Sequence, residues 1–217
     1  MFKEVLSKNA EKSLDLLGKS GLLKSAYLAG GTALAIHLRH RYSYDFDFFT
    51  SKNFNENILV QRLKELFPNF ILEKKERGTI LGYLGKTRFS LFFYKHPLLF
   101  KTHKFLDINI ADIKDIAAMK IAAIADRGTK RDFIDLYFIL KEAKIMTLEK
   151  SLKLYDKKFK VLPQNKVHIL KSLLYFENAD KDQSPKMIKP IKWPKVKEFF
   201  IDEQKRLTKK LLTKLTK

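Results

Sequence analysis

The segment Ser43-Tyr44-Asp45-Phe46-Asp47-Phe48-Phe49 most narrows what this chain can fold into. Residues 44–49 alternate with the period of a β-strand, so Asp45 and Asp47 share one face while Phe46 and Phe48 occupy the other. The aromatic face needs a core to cover it. The acidic face is harder to account for, because aspartate is depleted in strands and like charges on one face repel. A strand needing only a wet face would carry Thr, Lys or Ser there. Two convergent carboxylates suit a hard divalent cation that neutralises them and bridges to phosphate oxygens. The plain alternative is a solvated edge strand whose aspartates do nothing.

Around this strand the chain reads as α+β, with strands in the first half and helices in the second. A loosely helical pattern over residues 3–18 is interrupted by Gly18 and Gly21. A short apolar run, Ala26 to Ala29, ends at Gly30-Gly31, and a helical segment follows from Thr32 to Arg39. Leu59 to Phe67 is helical and stops at Pro68; residues 70–74, 79–84 and 88–94 are strand-like. Helices are expected from Asp112 to Ala125 and from Lys130 to Ala143, with Gly128 between them. The remainder is mainly helical, with a turn at Pro163 and an extended stretch around Pro185, Pro190 and Pro194. Val196 to Leu215 has an apolar stripe for which core packing is the default.

Charge divides the chain unevenly. Of 44 basic and 24 acidic residues, 23 and 15 fall in residues 1–140, whereas 21 and 9 fall in the much shorter 141–217. A basic C-terminal region therefore follows a less charged core, with the step near 141. A net +20 attracts polyanions, and the predominance of Lys over Arg suits diffuse phosphate attraction better than bidentate base reading. The absence of cysteine excludes disulfides, Cys-zinc sites and thiol catalysis. No run approaches the ~20 apolar residues of a membrane span, so a soluble, cytoplasmic protein is expected.

Three further places could carry chemistry. Gly30-Gly31-Thr32, between a strand and a helix, lets the backbone approach a ligand closely and turns helix N–H groups toward an anion. Thr32 could cap that helix or donate to phosphate. The helix from Asp112 has the stripe Ile113, Ile116, Ala117, Ile121 and Ile124, with Lys120 inside it. That lysine either snorkels out or aims its ammonium into a cleft to meet a phosphate. In Arg127-Gly128-Thr129-Lys130-Arg131-Asp132-Phe133-Ile134-Asp135, two aspartates three apart sit beside a buried stripe. Asp132 can favour the helix macrodipole, but Asp135 lies a turn further in. Arg127, Lys130 and Arg131 could hold phosphate or pair with these carboxylates. The five histidines form no metal-binding spacing, and no serine sits in a nucleophile elbow.

Gly30-Gly31-Thr32-Ala33-Leu34-Ala35 followed by His40-Arg41-x-Ser43-x-Asp45-Phe46-Asp47-Phe48-Phe49 resembles the first motif of the AbiEii/AbiGii toxin-type nucleotidyltransferases, within the DNA polymerase β-like superfamily. Asp115-Ile116-Ala117-Ala118-Met119-Lys120 resembles that family's lysine motif, and Arg127-Gly128-x-Lys130-Arg131-Asp132-Phe133-Ile134-Asp135-Leu136-Tyr137 its following one. The resemblance implies a nucleotidyltransferase core over residues 1–140, a mixed sheet flanked by helices, and a basic, mainly helical region over 141–217. It implies Mg²⁺ (or Mn²⁺) on Asp45 and Asp47, and NTP phosphates on Gly30, Gly31 and Thr32, with Ser43 touching phosphate or being a modification site. Lys120 would neutralise the triphosphate, Asp135 would assist at the acceptor or nucleotide side, and Arg127, Arg131 and Asp132 are secondary candidates. The implied function is the toxin of a toxin–antitoxin or phage-defence system that moves NMP from NTP to an RNA such as tRNA, or to a protein. A cognate antitoxin is a further implied partner.

One departure from the superfamily pattern matters. A third carboxylate on a later strand is common there, whereas the strand Arg88-Phe89-Ser90-Leu91-Phe92-Phe93 carries Ser90, with Asp107 further on. Two other functions stay open on this basis. A Mg²⁺-dependent nuclease would use Asp45/Asp47 with Glu73-x-Lys75, and a catalytically degenerate nucleotide- or RNA-binding protein would explain Ser90.

Overall fold

A computed structural model of the chain describes residues 1–160 and 165–215, so the turn expected at Pro163 lies outside the described residues. The chain divides into two compact units, Met1–Asp112 and Ile113–Lys217. The charge step near residue 141 therefore falls inside the second unit.

The first unit begins with a 3-10 turn, Lys3–Val5, and α1 (Lys8–Ser20), whose Ser7 side chain accepts from the Ala10 N–H as an N-cap. Then come β1 (Tyr27–Ala29), α2 (Gly30–Leu38), β2 (Phe46–Thr50), α3 (Glu56–Leu66), β3 (Phe70–Glu76), β4 (Thr79–Leu84), β5 (Thr87–Phe93), β6 (His103–Phe105) and β7 (Ile108–Ile110). They form one mixed sheet in the order β3-β4-β5-β2-β1-β7-β6, in which β2 pairs antiparallel with β1 and parallel with β5. The expected α+β class with a mixed sheet is what the chain forms. Along β2 the burial alternates as the sequence pattern requires: Phe46, Phe48 and Thr50 are buried, Asp47 and Phe49 half-buried. Phe48 meets Phe89 of β5 at 5.8 Å between ring centroids, and Phe89 meets Phe70 of β3 edge-on at 6.3 Å. This aromatic layer seats β2 in the sheet interior, so the aspartates are not on an edge strand.

Strands β6 and β7 were not expected from the sequence. Each is three residues long, too short to show a period, and a tight turn at Leu106 (φ 48°) and Asp107 (φ 58°) joins them. Asp107 is exposed at that hairpin tip, which disposes of it as an inward-pointing carboxylate.

The second unit is helical: α4 (Ile113–Asp126), α5 (Lys130–Tyr137) continuing into a π-helical turn (Phe138–Glu142), α6 (Leu148–Phe159), α7 (Asn165–Ser172), α8 (Glu177–Lys181) and α9 (Trp193–Leu215). Its aromatic centre is Phe133, whose ring lies 5.1 Å from Phe176, 5.3 Å from Phe200 and 6.0 Å from Trp193. Val196, Phe200 and Leu207 bury the apolar stripe of α9. Pro194, expected in an extended stretch, is instead the second residue of α9, where its missing N–H costs the helix nothing. Among the described residues no helix is long and apolar enough to cross a membrane.

Candidate active site

In the first unit the site is built where β1 hands over to α2. Ala29, the N-cap, makes no side-chain capping bond, so the first N–H groups of α2 have no internal acceptor from that cap. Gly30 opens the helix at φ +67°, a conformation that penalises any side chain. A Cβ on Gly30 would also lie 2.8 Å from Asp47 Oδ2. The missing Cβ is what lets the Asp47 carboxylate sit against the turn. Ala29 and Asp47 are paired across β1 and β2, and Asp47 is in register with Ser90 across β2 and β5. Asp45 directly precedes β2 and is half-buried like Asp47.

Gly31 has a different neighbour. Its hypothetical Cβ would meet Arg41 Nη2 at 2.1 Å and Ser43 Oγ at 3.5 Å. The Thr32 and Ser43 hydroxyls, both buried, hydrogen-bond each other at 2.8 Å, and Thr32 also donates to the Asp45 carbonyl. Thr32 and Ser43 thus clamp the 43–45 segment against α2, which aligns the acidic strand with the Gly-Gly turn.

The second unit assembles the later motifs. Lys120 of α4 is only 5% exposed, and its ammonium lies 2.9 Å from Asp132 and 2.6 Å from Asp135 on α5; both aspartates are fully buried. Gly128, with φ +56° between the helices, permits the turn that brings these residues together. Asp132 also accepts from Arg127 Nε at 2.9 Å, Arg127 Nη2 at 3.1 Å and the Thr129 hydroxyl at 2.6 Å. Burial pushes the Asp132 carboxyl upward, but the Lys120 charge and the Arg127 guanidinium outweigh it and hold the group well below the usual carboxylate range. Lys120 neither snorkels to solvent nor stands alone; two carboxylates engage it. Arg131 is exposed on the outer face of α5.

Sequence reasoning missed two buried charges. Asp115 of α4 and Lys158 of α6 form a fully buried pair at 2.9 Å. Lys158 continues the spacing of Leu148, Ser151 and Tyr155, the buried face of α6, and a lysine in that stripe was the available signal. Lys130, also buried, donates from its backbone N–H to Asp182 at 2.9 Å, and its ammonium reaches the Asp182 carbonyl.

The nuclease constellation is not assembled. Glu73 and Lys75 lie on β3, an edge strand separated from β2 by β4 and β5, and both are exposed, with Lys75 bound to Asn57. No group of three His, Cys, Asp or Glu side chains able to hold a metal occurs among the described residues. The carboxylates on offer are Asp47, seated against Gly30, and Asp45, two residues before it in the chain. Mg²⁺ binds in this way, through one or two carboxylates plus substrate phosphates and water, so the pair fits a cation completed by a nucleotide.

The mixed sheet and its helices are those of nucleotidyltransferases. An H. pylori protein regarded as a nucleotidyltransferase has a similar crystal structure, with TM-score 0.59, 20% identity and 98% of both chains covered. JHP933 from Helicobacter pylori is similar at TM-score 0.53 and 20% identity over 100% of both chains. An uncharacterized protein of Aquifex aeolicus (strain VF5) is 38% identical over 200 residues, 90% of this chain and 94% of its own. The chain belongs to the AbiEii toxin family, nucleotidyl transferases of type IV toxin–antitoxin systems, whose family profile matches residues 14–89 and 92–210.

Proposed function

We propose that this toxin transfers a nucleoside monophosphate from an NTP to an RNA acceptor, with tRNA the foremost candidate, using Mg²⁺ held by Asp45 and Asp47. The observation that carries this reading is the seat of the Asp47 carboxylate against Gly30, at the mouth of a helix N-terminus suited to phosphate. An acceptor hydroxyl attacks the α-phosphorus, a new P–O bond forms, the α–β bridging bond breaks, and pyrophosphate leaves. What Mg²⁺ supplies when bound is neutralisation of charge on the phosphate oxygens. Gly30 and Gly31 give the phosphates close access to backbone N–H groups, while Thr32 and Ser43 hold the acidic strand in place. Lys120 and Asp135 are a second requirement: the ammonium fixes the Asp135 carboxylate, and Asp132, itself held by Arg127, fixes the ammonium.

Charge supports a polyanionic acceptor, since residues 113–217 contain 26 basic and 13 acidic residues. A reaction that consumes NTP also suits the cytoplasm, and the family makes a cognate antitoxin the natural protein partner. The test is mass spectrometry of total tRNA incubated with the protein, Mg²⁺ and each NTP separately. Addition of whole nucleotides to one tRNA class is expected, and Asp45→Ala and Asp47→Ala should abolish it. Wild-type-like incorporation by either variant would sink the assignment, and cleavage without NTP would replace it with a nuclease.

A further inference from the structure

A cavity of about 300 Å³ opens in the first unit at the start of β1, the end of that strand away from the Gly30-Gly31 turn. Its walls include Ser25, Tyr27, Ser51, Lys95, His96 and Thr102, and among the described residues no carboxylate lines it. A cation and three hydroxyls without a competing acid make a donor-rich setting that suits a phosphate. The cavity also lies on the face of the sheet that carries Asp47. Tyr27 pairs with Phe49 and Ala29 with Asp47, so the two pairs are successive rows on one face, about 7 Å apart. Phe49 is half-buried; its ring stacks on Tyr27 at 6.0 Å and meets the half-buried Phe92 of β5 at 5.6 Å. An aromatic row therefore separates Asp47 from the cavity, and Tyr27 belongs to both.

The direction of approach follows from the chemistry. In-line displacement puts the attacking and leaving oxygens on opposite sides of the α-phosphorus. With the leaving pyrophosphate at the Gly30-Gly31 turn, just beyond Ala29, the acceptor hydroxyl comes from the Tyr27 side. We propose that the cavity binds a backbone phosphate of the acceptor RNA, with Lys95 as its counter-charge and the Tyr27–Phe49–Phe92 row beneath the bases of the strand's 3′ end. The inference rests on the nucleotide-transfer reading above and adds the acceptor's path to it. NTP and RNA then meet at Asp47 from opposite ends of β1.

A fluorescein-labelled, single-stranded RNA octamer with a free 3′ hydroxyl probes the cavity in the full chain by fluorescence anisotropy. Steady-state kinetics with Mg²⁺, NTP and tRNA accompany it. Lys95→Ala should raise the octamer Kd and the KM for tRNA roughly 10-fold, as for a lost hydrogen bond to a charged group. The KM for NTP should stay unchanged and kcat should move by no more than about threefold. The plot of log Kd against log salt should become shallower by about 0.7, the share of one single-strand phosphate. Ser51→Leu fills the cavity without altering charge and should weaken RNA binding to a similar degree. Lys86→Ala, an exposed lysine in the β4–β5 turn, removes the same charge away from the cavity and should change Kd by less than about threefold. Lys95 and Ser51 are both exposed, and circular dichroism melts confirm that their variants are folded. Wild-type RNA binding by Lys95→Ala or Ser51→Leu, an equal loss in Lys86→Ala, or a rise in the KM for NTP in place of RNA would overturn the inference. Absence of transfer by the wild-type protein with any NTP would refute the transfer reading instead, and the anisotropy measurements would still judge the cavity.

Discussion

Replacing Lys120 with Met tests how the second unit handles charge. The substitution removes an ammonium 2.9 Å from one fully buried carboxylate and 2.6 Å from another. Removing one partner of a buried ion pair typically costs about 3–5 kcal/mol, because the remaining charge stays out of water. Asp132 keeps Arg127 and Thr129, so the larger share of the loss falls on Asp135. Arg127→Met is the natural control: its side chain is 60% exposed although it touches the same carboxylate. Solvent screening should limit that change to about 1 kcal/mol or less.

The chain's single tryptophan, Trp193, packs on Phe133 and Phe176 and donates its indole N–H to Asp180 at 2.6 Å. Its fluorescence therefore follows unfolding of the second unit. With a urea m-value of about 1.5–2 kcal/mol per molar, Lys120→Met should lower the midpoint by about 1.5–3 M and Arg127→Met by less than about 0.7 M. Adding Asp135→Leu to Lys120→Met should restore part of the loss, since an apolar replacement removes the stranded charge. Equal midpoint shifts for the two single variants would refute the reasoning, because burial would then not decide the cost. Activity assays of Lys120 variants follow from this: Lys120→Arg keeps a cation in place, and its turnover separates chemistry from folding.

Two more outcomes are expected. Asp132 has a folded pKa held below its unfolded value of about 3.9, so its contribution to stability is complete above that range and is lost as pH falls toward the folded pKa. Trp193-detected stability should decline from pH 5 to pH 3, Asp132→Asn should flatten that decline, and an unchanged slope would contradict the ion-pair account. Gly30→Ala should cut nucleotide transfer at least tenfold by forcing the Asp47 carboxylate out of its seat, beyond the roughly 1–2 kcal/mol of left-handed strain. Gly85→Ala isolates the strain, since Gly85 is also left-handed at φ +62° but a Cβ there would only touch Asn69 at 3.4 Å; equal activity losses would rule out the carboxylate displacement.

What the sequence made legible is what lies close along the chain. The 44–49 alternation placed Asp47 opposite a buried aromatic face, and β3, β4 and β5 fell within two residues of their expected limits. Lys120, Asp132 and Asp135 were singled out because an apolar stripe leaves a charged residue nothing to do. Their mutual pairing was less visible, since it depends on the angle that α4 and α5 take at Gly128. Lys158 meets Asp115 across 43 residues, and no local pattern specifies that contact. Arg41 is in plain view within a motif, but its packing against Gly31 depends on how the 39–45 segment returns to α2.

The basic surplus then separates into two kinds of charge. Of 44 basic residues, the described ones that are buried are Arg41, Lys120, Lys130 and Lys158. Each of these has a definite companion: the Tyr42 carbonyl for Arg41, the Asp132–Asp135 pair for Lys120, Asp182 for Lys130 and Asp115 for Lys158. Desolvating a charge costs several kcal/mol, and these companions offset part of that cost. The exposed lysines face screening with a Debye length of about 8 Å at physiological salt, so they act as a field and not as contacts. An RNA acceptor, as proposed, should therefore be held less tightly as salt is added, while the internal pairs around Lys120 and Lys158 should keep their strength.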